Sequence, residues 1–223
     1  MKKAMKHLSD TTTYWKVTHF PLEELLYRLN YIVQKNLGTL SFIEANYILH
    51  KPLKGYQVSS IYFLPKIHKT PIGFRPICLY NNSIFEQTSK WIHLQLLLQN
   101  QYPKDSHSLI QTLEQVTLPP NSFILSFDVE SLYPSIPPKL GLEALRHIIS
   151  PHFSSANTNL IYTLSTLTLE YHYLTFDNQV YQQIKGTTMG SGFSVVYACR
   201  FLSHLENSQT TPHLFSFTSY IDD

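Results

Sequence analysis

The sequence predicts an α+β fold, with helices packed on a small antiparallel sheet, and three observations carry that prediction. Segments with helical spacing of apolar residues fill most of the first hundred positions and return after position 137. Short apolar, strand-like runs interrupt them at 59–64 and 123–129, and two more flank Asp177-Asn178. The composition is globular: 43% of the 223 residues are hydrophobic and 14% charged, enough to bury a core and too apolar for a disordered chain.

Each element has its own local cause. Pro21 opens a helix with Glu23 and Glu24 in its first turn and Leu29, Ile32 and Val33 at helical spacing. Ser41 and Glu44 fit a capping box for a short helix to about Leu49. The run 59–64 reads as a strand ending at Pro65. A helix over 84–98 carries Trp91, Leu94 and Leu98 on one face, and Asp105 or Ser106 caps another through Val116. The apolar run 123–129 is long enough for a buried strand. Pro137-Pro138 opens a helix marked by Leu140, Leu142, Leu145, Ile148 and Ile149, and 157–171 forms a further one. Asp177-Asn178 suits a two-residue hairpin, a Gly-rich run over 186–192 leads into a helix at 194–205, and a last strand carries Tyr220 to the end.

Charge and cysteine content exclude several classes. A net charge of +2 with 11 neutral His leaves room for a basic patch but not for wrapping nucleic acid by charge alone. Cys78 and Cys199 lack metal spacing and read as two reduced thiols of a cytosolic or nuclear protein. The basic start leads into Ser9-Asp10-Thr11-Thr12-Thr13 rather than a signal-peptide core, and no apolar run approaches the ~20 residues of a membrane span. An intracellular chain without a membrane partner is expected.

Three groups of residues could carry chemistry. Asp128 ends one apolar strand and Asp222-Asp223 ends another. Carboxylates brought together there would repel unless hard cations neutralised them, and Mg²⁺ suits an all-oxygen site. The competing reading is a turn cap at Asp128 and a solvated terminal pair. The run Lys185-Gly186-Thr187-Thr188-Met189-Gly190-Ser191-Gly192 precedes a helix, so it could admit a base, sugar or phosphate close to the backbone, or merely turn. Lys66, Lys69 and Arg75 flank a probable turn at Thr70-Pro71-Ile72-Gly73, as a triphosphate clamp or as a solvated basic hairpin.

In this order the three signals resemble the reverse transcriptases. Phe127-Asp128-Val129-Glu130-Ser131-Leu132-Tyr133 resembles polymerase motif A, the segment 186–198 resembles motif B, and Tyr220-Ile221-Asp222-Asp223 resembles the YxDD box of motif C. Leu64-Pro65-Lys66-Ile67-His68-Lys69, Arg75-Pro76-Ile77 and the whole of 127–137 are most similar to the Penelope-like retroelements. The likeness spans about 60–223.

The resemblance implies a right-hand polymerase fold, with an N-terminal helical extension over 1–58 and fingers plus a partial palm over 59–223. It implies an RNA-directed DNA polymerase of a retrotransposon, joining a deoxynucleotide to a primer 3′-hydroxyl with two Mg²⁺ ions, for which Mn²⁺ could substitute. RNA template, DNA primer and deoxynucleoside triphosphates are the implied partners, and no protein partner can be inferred. Asp128 and Asp222 would be the principal metal ligands, with Asp223 in support and the Val129 carbonyl completing the nucleotide-metal site. Lys66 and Arg75 would hold the triphosphate. Tyr133 would block a 2′-hydroxyl, or else be an ordinary core tyrosine. Met189 and Gly190 would lie under the templating base and incoming nucleotide, and Tyr220 would pack beneath the primer end. Val195 stands where many relatives have Pro, and Cys199 where Asn is common. Relatives continue past motif C into a return strand, primer grip and thumb, often with an endonuclease beyond. The chain is therefore expected to be a fragment, or alternatively an inactive remnant that at most binds nucleic acid weakly.

Overall fold

The computed structural model describes residues 5, 7–67, 70–97, 110–111, 114–117, 120–123, 129 and 131–208. Strand β1 (Tyr14–Val17) is followed by helices α1 (Leu22–Lys35) and α2 (Phe42–Ile48). Then come strands β2 (Ser59–Lys66) and β3 (Gly73–Leu79), and helices α3 (Glu86–Leu97), α4 (Leu132–Ser135), α5 (Pro138–Ile149) and α6 (Ser155–Glu170). Strands β4 (His172–Phe176) and β5 (Gln179–Gln183) precede helix α7 (Gly192–Ser208). The architecture is α+β, and the five strands form one sheet in the order β1-β5-β4-β2-β3.

That sheet is mixed, not purely antiparallel. Three neighbouring pairs are antiparallel, but β2 and β4 run parallel, with Ser59 opposite Leu174 and Ser60 opposite Thr175. A parallel pair needs a long crossover, here supplied by everything between β2 and β4. The N-terminal segment is not wholly helical either. Its β1 pairs with β5 from Tyr14↔Gln183 to Val17↔Val180. Four residues are too few for a periodic signal, yet Tyr14 is buried with Leu8, Ile61, Cys78, Leu174 and Tyr181 in a small core. The Asp10 carboxylate fixes the approach by accepting bonds from the Thr12 backbone N–H and from the Thr12 and Thr13 hydroxyls.

β2 continues through Pro65 to Lys66, past the expected end. Of β2, only Ser59 and Ser60 pair with β4, so at Pro65 the missing N–H removes no ladder bond on that side. The turn at Asp177-Asn178 is as expected: both residues have positive φ, 48° and 56°, as a tight two-residue hairpin requires.

The main core lies among the helices. α1 buries Leu25, Leu29 and Val33, one per turn, and α5 buries Leu142, Ala144, Leu145 and Ile149. α3 departs from its expected face. Thr88, Ser89, Trp91, Ile92 and Leu96 are buried, whereas Leu94 is 54% exposed and Leu98 lies outside the described residues. Thr88 and Ser89 are small enough to face neighbouring helices, a preference that hydrophobic spacing alone misses. The expected helix at 105–116, strand at 123–129 and terminal strand fall wholly or largely outside the described residues.

The capping box on α2 also ties two helices together. Ser41 Oγ accepts from the Glu44 N–H, and the Glu44 carboxylate accepts from Ser41 N–H while its Oε1 accepts from Trp91 Nε1 at 3.1 Å. These bonds, that of Ser41 foremost, hold the Glu44 carboxyl below the ordinary range. Ser41→Ala loses the cap alone, at about 1 kcal/mol; Glu44→Ala also orphans the indole and should cost about 2 kcal/mol. Urea unfolding at neutral pH checks the pair, and equal losses would show that the Trp91 bond contributes nothing.

Candidate functional site: a glycine loop docked on strand β3

β2 and β3 form a ribbon whose register places Lys66 opposite Gly73 and Leu64 opposite Arg75. Residues opposite one another share a face, so Lys66 and Arg75 lie on one face as diagonal neighbours. Tyr62, Leu64 and Leu79 line the same face and are 40–50% exposed, whereas Ile61 and Cys78 on the other face are buried in the small core.

The Gly-rich loop after β5 meets that ribbon. Cys78 N–H donates to the Met189 carbonyl at 2.8 Å. β3 is the outermost strand, and the loop covers its open edge. Gly190 sits at φ +119°, and a Cβ there would collide with the Cys78 carbonyl oxygen. On its other side the loop holds α4. Thr187 N–H donates to the Tyr133 carbonyl at 2.8 Å, and Gly186 N–H donates to the Ile136 carbonyl at 3.1 Å. Gly186 has φ +71°, and a Cβ would strike the Pro134 backbone. Two of the glycines are thus required by conformation and by close approach.

The loop then caps its own helix. Ser191 Oγ accepts from Phe193 N–H at 3.2 Å, and the buried hydroxyls of Thr187 and Ser194 share a hydrogen bond of 2.9 Å. Val195 is 39% exposed on α7, directed away from these contacts, while Cys199 is buried. A Val at 195 therefore disturbs none of the bonds that shape the loop.

The structure brings together three segments that the sequence singled out: the Lys66/Arg75 ribbon, the Tyr133 helix and the Met189–Gly190 loop. Tyr133 is 8% exposed, with its ring in the main core, and Ser131 before it adopts a left-handed conformation (φ 53°). Met189 is partly buried against the same core. Val129 is 43% exposed. Asp128, Tyr220, Asp222 and Asp223 lie outside the described residues, as does Lys69. Among the described residues no group of three or more His, Cys, Asp or Glu is arranged to hold a metal. Cys78 takes no part as a thiol: burial pushes its pKa up to about 12.

A feature without a sequence signal lies behind the loop. Tyr80, Leu169, His172, Gln183, Thr188 and Phe193 are among the residues lining a small cavity. The fully buried His172 ring stacks on Tyr80, with centroids 5.6 Å apart and planes within 9°. Burial lowers its pKa from 6.5 to about 4, opposed by the neighbouring Gln183 amide. One histidine in a run such as Tyr171-His172-Tyr173 gives no hint of this depth.

Two outcomes follow. Gly190→Ala should cost roughly 2–4 kcal/mol in denaturant unfolding, while Gly38→Ala, with nothing within 4 Å of its added Cβ, should change stability by less than about 1 kcal/mol. For His172, the native state resists a proton that the unfolded chain accepts. Its contribution is complete above about pH 6.5 and falls by roughly 1.4 kcal/mol per pH unit as pH drops toward about 4. Stability measured from pH 7 to 5 should therefore fall less steeply in His172→Phe; an unchanged slope would rule His172 out as its source.

In comparisons with known proteins, no family model and no curated protein matches the chain.

Proposed function

We propose that the chain is the fingers and part of the palm of an RNA-directed DNA polymerase from a Penelope-like retroelement. The observation that carries this reading is the docking of the Gly-rich loop between β3 and α4. Segments far apart in sequence, each resembling a polymerase motif, meet there through backbone bonds of 2.8 Å from Thr187 to Tyr133 and from Cys78 to Met189. A loop needed merely to turn the chain would not require glycine where β3 and α4 press against it.

Asp128, Asp222 and Asp223, with the Val129 carbonyl, would hold two Mg²⁺ ions, a donor set of hard oxygens that suits this cation. Bound there, magnesium supplies charge neutralisation for carboxylates and phosphate alike. The residues of the chain do the rest. Lys66 and Arg75, on one face of the ribbon, neutralise and orient the triphosphate. Met189 and Gly190 would lie under the templating base and the incoming nucleotide. Tyr133 sets the space available beside the sugar C2′, its main chain fixed by Thr187. Tyr220 packs under the primer end. The primer 3′-hydroxyl attacks the α-phosphate, and pyrophosphate leaves. The template is RNA, recognised through 2′-hydroxyl and phosphate contacts. Among the described residues no helix is long and apolar enough to cross a membrane.

Primer extension on an RNA template with Mg²⁺ tests the reading. Extended through a return strand and thumb, the chain should add deoxynucleotides, and Asp128→Ala in that extended protein should reduce the rate at least about a hundredfold. Lys66→Ala should raise the KM for deoxynucleotide roughly tenfold with a smaller change in kcat, a loss of about 1.4 kcal/mol. Tyr133→Ala should admit ribonucleotides at least about tenfold better. Extension no faster than that of Asp128→Ala would overturn the polymerase reading, and unchanged sugar discrimination would remove Tyr133 from it.

A further inference from the structure

Helices α5 and α7 run in the same direction. Near their starts, Gly141 of α5 faces the Tyr197 ring of α7, so closely that a Cβ at 141 would collide with the Tyr197 hydroxyl. Six residues further along α5 and seven along α7, the rings of His147 and His204 meet with centroids 5.2 Å apart and planes at 61°. Both contacts advance with the chain, so the helices are parallel neighbours and their C-terminal ends lie at the same end of the pair. His147 is in the last turn of α5 and His204 about one turn before the end of α7.

We propose that His147 and His204 form a binding site for a divalent transition-metal cation of the Zn²⁺ class, clamping α5 to α7. The separation suits it. With a metal–nitrogen bond of about 2.0–2.1 Å and a ring radius of about 1.15 Å, a ligating imidazole centroid lies about 3.2 Å from the metal, so two at the tetrahedral angle stand about 5.2 Å apart. His χ2 is a soft torsion, so a small ring rotation turns a nitrogen of each into the shared space.

The surroundings favour a cation. Parallel helices place both partial negative charges at their C-terminal ends, and His147 sits in that of α5. Glu143 is one turn back on α5, on the side of His147. The neighbouring positive charges are engaged elsewhere: Arg146 donates to Asn159 Oδ1 at 2.9 Å and lies over the Tyr162 ring, both on α6, and Arg200, one turn before His204, donates to the Leu96 carbonyl at 3.1 Å. His147 is exposed and His204 half-buried, so an ion from solvent reaches them. Among the described residues no third His, Cys, Asp or Glu completes a cluster, so water fills the remaining positions and affinity is moderate. Imidazole ligands select Zn²⁺, Ni²⁺ or Cu²⁺ over Mg²⁺, which separates this site chemically from any carboxylate centre. The proposal stands independently of the polymerase reading.

Zn²⁺ titration of the full chain in metal-free buffer, followed by calorimetry, tests it. A site with a Kd on the order of 10 μM is expected, from which excess Mg²⁺ should not displace Zn²⁺. His147→Gln and His204→Gln should each weaken that site at least tenfold, and the double variant should abolish it. Both positions lie outside the core, and circular dichroism checks that the variants fold. Cu²⁺ bound to the wild-type chain should show two nitrogen ligands by electron paramagnetic resonance. Binding that survives both substitutions, binding weaker than about 1 mM, or a single-nitrogen Cu²⁺ spectrum would overturn the proposal.

Discussion

One backbone contact seats the Gly-rich loop on the edge of the sheet. The Cys78 N–H on the outer edge of β3 donates to the Met189 carbonyl, and the next residue, Gly190, lies flat against the Cys78 carbonyl. Without it the edge strand would lose the loop's cover at Cys78. With it, the same eight-residue stretch fastens α4 through Thr187 and Gly186 and launches α7 through Ser191. Sheet, short helix and long helix are thus positioned by one loop, almost entirely through main-chain groups. Such a joint tolerates no Cβ at Gly186 or Gly190.

The electrostatic design follows from the same geometry. The sheet buries one face of the β2–β3 ribbon with aromatic and aliphatic side chains and leaves Lys66 and Arg75 on the other. Buried histidine and cysteine behind the loop are kept neutral by lack of water, His172 pushed down and Cys78 pushed up. The charges of the ribbon thus lie on the face turned away from the small core. The interior between loop and helices carries hydroxyls and amides instead, from Thr187, Thr188, Ser194 and Gln183.

Features written in side-chain chemistry were legible in the sequence. The Ser41–Glu44 capping box, Pro138 at the start of α5 and the Asp177-Asn178 turn each depend on one or two residues with a narrow physical use, and each stands where it was read. What escaped was set by partners distant in the chain. β1 is four residues long and becomes a strand because β5 offers it an edge. The parallel step between β2 and β4 involves two residue pairs and has no pattern of its own. Leu94 looks like a core residue by spacing, but the small Thr88 and Ser89 let the helix turn it outward. The candidate site divides in the same way. Glycines at 186 and 190 signalled close approach, but only the fold reveals that the approaching surfaces are β3 and α4. The carboxylates Asp128, Asp222 and Asp223 remain known by their sequence motifs, since they lie outside the described residues.

The pairing of β1 with β5 also bears on how the chain is made. Tyr14 pairs with Gln183, about 170 residues later, so the sheet closes through one of the longest-range contacts the chain allows. Topologies of such high contact order fold slowly, because loop closure must precede any gain from pairing. During synthesis, Tyr14 and the neighbouring Trp15 wait without a partner strand until the β4–β5 hairpin has left the ribosome. In that interval an aromatic tetrapeptide is open to wrong pairings, and chaperone dependence of expression would be the cellular sign of it.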